Sequence, residues 1–146
     1  MAQSNCNGVL VIDDEQHDIA AIQRSLEQAG HNVFTGGNYQ EGLVTFGAHA
    51  GEIDLLITDI SLPGKTGLEL AKACLREKPA LKVLFISGWV GAEFLEYFGI
   101  SKADSHFLAK PFRTSKLLNR VRRILASAEQ ICWRTTDAKI SGAAGA

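Results

Sequence analysis

Leu55-Leu56-Ile57, running on into Thr58-Asp59-Ile60-Ser61-Leu62-Pro63-Gly64, is an unbroken apolar run that ends on an acid and then a turn. Apolar residues without polar alternation are the pattern of a parallel strand covered on both faces. Val9-Leu10-Val11-Ile12 before it and Val83-Leu84-Phe85-Ile86 after it repeat the pattern. Shorter runs around Asn32–Phe34 and at Phe107-Leu108 bring the expected strands to five. Strands of this kind need helices between them, and the intervening segments supply helical spacing. Gln16–Ala29 carries Ile19, Ile22, Leu26 and Ala29 on one side, with Gly30 as its stop. Asn38 and Glu41 resemble a capping box ahead of Leu43, Val44 and Phe46. Thr66 or Gly67 opens a helix bearing Leu68, Leu70, Ala71, Cys74 and Leu75, and Pro79 lies just past its end. Gly91–Phe98 has room only for a short helix between glycines. The last helix, about Thr114–Ala126, sets Leu117, Leu118, Val121, Ile124 and Leu125 on one face. The fold class expected is α/β: a flavodoxin-like, doubly wound (βα)5 unit with a five-stranded parallel sheet.

The chain has 146 residues, room for one hydrophobic core but not two. Residues 8–126 are expected to form the domain, after an extension over 1–7 and before a partly disordered tail over 127–146. At 46% hydrophobic and 21% charged residues, the chain has the composition of an ordinary soluble domain. A formal net charge of −1 supplies no field to draw it to nucleic acid or anionic membrane. Arg113, Lys116, Arg120, Arg122 and Arg123 share the last helix opposite its apolar stripe, which reads as a solvated face. The residues after that helix are too few for a helix-turn-helix output domain. Cys6, Cys74 and Cys132 are odd in number and far apart, which argues against a disulfide framework or thiolate metal site. No apolar stretch reaches the ~18–20 residues needed to span a bilayer, and residues 1–8 lack the features of a signal peptide. A cytoplasmic setting is expected.

In a doubly wound sheet, ligands bind at the carboxyl ends of the strands. Here the first strand ends in Asp13-Asp14-Glu15, the third in Asp59, the fourth in Ser87, and Lys110-Pro111 follows the fifth. Any one of these acids could be no more than a helix cap. Together they are like charges on one rim, which is costly without a cation. All the candidate donors are hard oxygens, and the one nearby histidine, His106, precedes its strand. Magnesium suits such a set better than zinc, and it leaves coordination positions for phosphate oxygens.

The order Asp13-Asp14, then Asp59 within Ile57–Gly64, then Ser87-Gly88, then Lys110-Pro111-Phe112 resembles the receiver domain of response regulators in two-component signalling. The resemblance covers about residues 8–126. It implies that Asp59 takes a phosphoryl group from a phosphohistidine on a histidine kinase or phosphotransfer protein. It implies Mg²⁺ held by Asp14, Asp59 and the Ser61 backbone carbonyl, with Asp13 acting directly or through water. Lys110 would contact the phosphoryl oxygens, Ser87 and Phe107 would be the switch pair, and the Lys110-Pro111 bond would be cis. The resemblance also implies that Ser61 and Trp89 occupy variable positions that tune phosphoryl lifetime in that family. Such a domain is a phosphoacceptor rather than an enzyme, apart from supporting its own phosphoryl transfer and slow autodephosphorylation. Its output partner is open. Self-association through the short fourth helix, the fifth strand and the last helix is one implied contact; direct nucleic-acid or membrane contact is not.

Some positions depart from the family pattern. Phe107 lacks a hydroxyl, so it can report a switch by burial but not by an outward hydrogen bond. The segment Gly91–Ser105 fits poorly. Val83–Trp89 resembles receivers at the carboxyl ends of hybrid kinases, so a hybrid-kinase fragment stands beside a stand-alone regulator as the alternative setting. A flavodoxin-like cofactor binder would need a phosphate cradle where Asp13-Asp14-Glu15 stand. An aspartate-nucleophile phosphatase would carry its nucleophile on the first strand.

Overall fold

The computed structural model of the chain describes residues 7–88 and 106–127. Along them run β1 (Gly8–Ile12), α1 (Gln16–Gln28), β2 (Asn32–Gly36), α2 (Tyr39–His49), β3 (Ile53–Asp59), α3 (Gly67–Glu77), β4 (Lys82–Ser87), β5 (Phe107–Ala109) and α4 (Thr114–Ala126). Here α4 is the last helix of the sequence reading. The short helix expected over Gly91–Phe98 lies outside the described residues, as do Trp89, the tail beyond Ser127 and most of the N-terminal extension. The expected self-association face is therefore described only in part.

All strand pairs are parallel, in the order β2-β1-β3-β4-β5. The chain winds outward from β1 to β2 and then returns to place β3 on β1's other side. The β1/β3 boundary is thus the switch point, where helices leave in opposite directions and a crevice opens. Strand parity explains the two cores. Leu10, Ile12, Leu56, Val83, Phe85 and Phe107 face Phe46, Leu70 and Cys74 of α2 and α3. Val9, Val11, Leu55, Ile57, Leu84, Ile86 and Leu108 face Ile22, Leu26, Leu117 and Val121 of α1 and α4. The central strands are buried along nearly their whole length because helices cover both sides; only Asp54 and Lys82, near the amino ends of β3 and β4, are half-buried.

Gly30 adopts φ +100°, and the Gly30 and His31 N–H groups reach back to Glu27 and Leu26 carbonyls, a Schellman stop for α1. At α2 only half of the expected capping box forms. Asn38 accepts from the Glu41 N–H, but the Glu41 carboxylate takes the Gly37 N–H instead of the Asn38 one. The complete box is at α3, where Thr66 and Glu69 cap each other reciprocally. β2 runs two residues beyond the expected Phe34, because Gly36 still pairs with Ile12. As an edge strand with partly exposed side chains, it shows a weaker apolar signal than its neighbours. One residue of the basic helix face is not solvated: Arg120 is half-buried and donates to the Phe107 carbonyl at 2.6 Å, tying α4 to β5. Among the described residues, no helix is long and apolar enough to cross a membrane.

Candidate functional site

Asp13 follows β1 with the parity of Val9 and Val11, and Asp59 ends β3 with the parity of Leu55 and Ile57. Both therefore point to the α1/α4 side of the sheet, as does Lys110, two residues after Leu108. Their ends meet there. The Lys110 Nζ donates to Asp13 Oδ2, Asp18 Oδ2 and Asp59 Oδ2, each at 2.8 Å.

The two strand-end aspartates are oriented in the same way. Asp13 Oδ1 accepts the Glu15 N–H at 3.0 Å, and Asp59 Oδ1 accepts the Ser61 N–H at 2.8 Å. Each carboxylate thus bonds the backbone two residues on, as Asp does in turns, and this leaves its Oδ2 for the crevice. Neither acts as a helix cap: Glu15 is the N-cap of α1 and makes no side-chain cap, while Thr66 caps α3. Asp14 is exposed beside them, and carboxylate oxygens of Asp13, Asp14 and Asp59 lie within 4.8 Å of one another. Three hard-oxygen donors so close fit a small divalent cation, and among the described residues no histidine or cysteine joins the cluster.

Burial makes the charges consequential. The Asp13 side chain is wholly buried, Asp59 is 8% exposed and Lys110 16%, whereas Asp18 is 40% exposed. Desolvation raises the Asp13 carboxyl above its ordinary value, against the opposing pull of the Lys110 and Glu15 hydrogen bonds. For Lys110, burial pulls the ammonium downward, but hydrogen bonds to Asp13, Asp18 and Asp59 outweigh it and the group sits above an ordinary lysine. It remains charged.

The close approach of α3 to the end of β3 shapes the acidic side of the crevice. The Gly67 N–H donates to the Ile60 carbonyl at 2.8 Å, and a Cβ on Gly67 would sit 2.1 Å from the Asp59 carbonyl oxygen. Only glycine fits there. Ser87 ends β4, buried, with its carbonyl accepting the Lys110 N–H at 2.9 Å. Phe107 is buried opposite Phe85 in the register of β4 and β5. Ser61 is exposed, and the Lys110-Pro111 bond is cis. A recess of about 370 Å³ opens beside the acids, lined by Asp18, Ala21, Ile22, Gly88, Lys110 and Phe112 among others.

Sequence reading brought Asp13, Asp14, Asp59 and Lys110 to this crevice, together with Ser87 at its rim. It missed Asp18. The available signal was an acid four residues after Asp14, within the first turn of α1 on the side facing the strand ends.

A family model described as response regulator receiver domain matches residues 9–122. The response regulator receiver protein CpdR of Brucella abortus is 30% identical over 121 residues, which cover 82% of this chain and 98% of that protein. The alkaline phosphatase synthesis transcriptional regulatory protein PhoP of Bacillus subtilis is 29% identical over 121 residues, 83% of this chain but 49% of its own length. The chain thus spans about half the length of PhoP, and likewise of the transcriptional regulatory protein CpxR of Escherichia coli, while it spans nearly all of CpdR. A solved response regulator receiver protein from Sinorhizobium medicae matches with a TM-score of 0.73 and 26% identity, covering 85% of this chain and 98% of that one.

Proposed function

The chain belongs to the family of response regulator receiver domains, and from that premise we propose that Asp59 accepts a phosphoryl group from a phosphohistidine and that the chain answers by changing its surface. The observation that carries this reading is a single ammonium, Lys110, held at 2.8 Å from the Asp59 carboxylate inside a cluster of acids at the β1/β3 switch point. A carboxylate is a weak nucleophile, but it forms a covalent phosphoryl intermediate when the charge on the transferred oxygens is neutralised. A carboxylate oxygen of Asp59 forms the new O–P bond as the N–P bond to the donor imidazole breaks; that nitrogen keeps the N–P electron pair, and with its other ring nitrogen carrying a proton from solvent the histidine departs neutral.

Asp13, Asp14 and Asp59, with the Ser61 backbone carbonyl, would hold Mg²⁺, which when bound adds positive charge beside those oxygens. Lys110 supplies the second positive charge, and one of its N–H donors is already aimed at Asp59 Oδ2. The Ser61 N–H keeps the carboxylate oriented. Ser87 ends the neighbouring strand and is bonded through its carbonyl to the Lys110 N–H, so displacement of one is felt by the other. The Ser87 hydroxyl then closes on the phosphoryl group and Phe107 changes its packing, shifting an equilibrium between two surface states. Ser61 and Trp89, each two residues along the sequence from Asp59 and Ser87 respectively, set phosphoryl lifetime. The donor is a histidine kinase or a phosphotransfer protein, and the same chemistry serves a stand-alone regulator or a receiver segment of a hybrid kinase.

Incubation with acetyl phosphate and Mg²⁺ tests the reading. Mass spectrometry should find one phosphoryl group on the native chain, none on Asp59→Asn, and none when EDTA replaces Mg²⁺. Normal yield on Asp59→Asn, or an undiminished yield in EDTA, overturns it.

A further inference from the structure

An ammonium has three N–H donors. In this chain Asp13, Asp18 and Asp59 take one each, so Lys110 can engage a phosphoryl oxygen only by giving up a contact it already has. The three contacts differ in what happens to them when the site fills. Asp13 and Asp59 belong to the cluster of acids fit for a cation, so their charge is shared once a cation binds; Asp18 lies outside that cluster and keeps its own. Asp18 is also the most exposed of the three at 40%, against 0% and 8%, so water can most readily replace it.

Resting on the phosphoacceptor reading above, we propose that Asp18 is a positioning residue for Lys110: a resting-state counter-ion that holds the ammonium and competes with the phosphoryl group for it. The plain alternative is that Asp18 merely complements the dipole in the first turn of α1. A dipole partner has no reason to touch Lys110, which lies 92 residues away in sequence. Asp18 and Asp59 touch the same nitrogen at 2.8 Å, so their oxygens are at most about 5.6 Å apart. A charge at that range in a half-open crevice shifts the binding of an anion by about ten-fold.

The test uses the full chain at saturating Mg²⁺ with beryllofluoride, a phosphoryl mimic, titrated calorimetrically. Asp18→Asn keeps an acceptor but removes the charge, and should bind the mimic about ten-fold more tightly. Asp18→Glu restores the charge and should return the affinity to within about two-fold of native. Glu15→Gln removes an exposed rim acid whose carboxylate does not touch Lys110, and should shift affinity by less than about three-fold. An unchanged Asp18→Asn affinity overturns the proposal, as does a Glu15→Gln shift as large as that of Asp18→Asn. Those failures leave the phosphoacceptor reading standing. If the native chain binds no mimic and takes no phosphoryl group from acetyl phosphate, both readings fall.

Discussion

Replacing Lys110 with methionine keeps the aliphatic stem and removes the charge, so it isolates what the ammonium does for the resting fold. Asp13 is wholly buried and Asp59 is 8% exposed, and both lose their cation. Removing one partner of a buried pair typically costs about 3–5 kcal/mol, because the other charge stays behind unpaired. The Asp18 contact adds less, since at 40% exposure water screens it to about 1 kcal/mol or less. There is an upper bound. Asp13 can escape by taking a proton, which starting from its ordinary value of 3.8 costs about 4.4 kcal/mol at pH 7 and about 1.6 kcal/mol at pH 5. Taking the proton also relieves its repulsion with Asp59. The sign follows from linkage. A carboxyl raised in the folded state contributes stability below 3.8 that is lost as pH rises through the folded value. Lys110→Met raises Asp13 further, so its penalty grows with pH. Urea unfolding followed by far-ultraviolet circular dichroism, in EDTA, should show a loss of about 3–4 kcal/mol at pH 7 shrinking below about 2 kcal/mol at pH 5. A loss under about 1 kcal/mol at pH 7, or one that fails to shrink at pH 5, refutes the reasoning.

Two further outcomes can be checked on the same instrument. Gly67→Ala forces a methyl against the Asp59 carbonyl, 2.1 Å away, and should cost about 1–3 kcal/mol while lowering the phosphorylation rate with acetyl phosphate. A variant as stable and as reactive as the native chain would show that α3 gives way freely. Cys74 is buried, and burial first, then the charge of Glu77, pushes its thiol from 9.0 to about 12. The stability it contributes is present below 9.0 and lost as pH climbs toward about 12. Cys74→Ala should therefore be the weaker protein at pH 7 by about 1–2 kcal/mol, with the gap narrowing by about 1.4 kcal/mol by pH 10. A gap that stays constant over that range sinks the argument.

What the sequence determined alone was local in origin. Val9–Ile12, Leu55–Ile57 and Val83–Ile86 are legible as strands because burial on both faces leaves no room for polar alternation. Helix faces are legible for the same reason, since a core selects apolar residues every third or fourth position. Once the strands were ordered, Asp13, Asp59, Ser87 and Lys110 fell at carboxyl ends by counting. The edge strand β2 was read short because partial exposure dilutes that selection. Tertiary structure decided what depends on distance across the chain. That Asp18 touches Lys110, that Arg120 holds the Phe107 carbonyl, and that α3 crowds the end of β3 until only Gly67 fits all follow from how helices settle on a twisted sheet. Periodicity records which face of an element is buried, but not which side chain on another element it will meet. The acids of the crevice were written in the sequence; the hold that a third aspartate has on their shared lysine appears only when the sheet and α1 are in place.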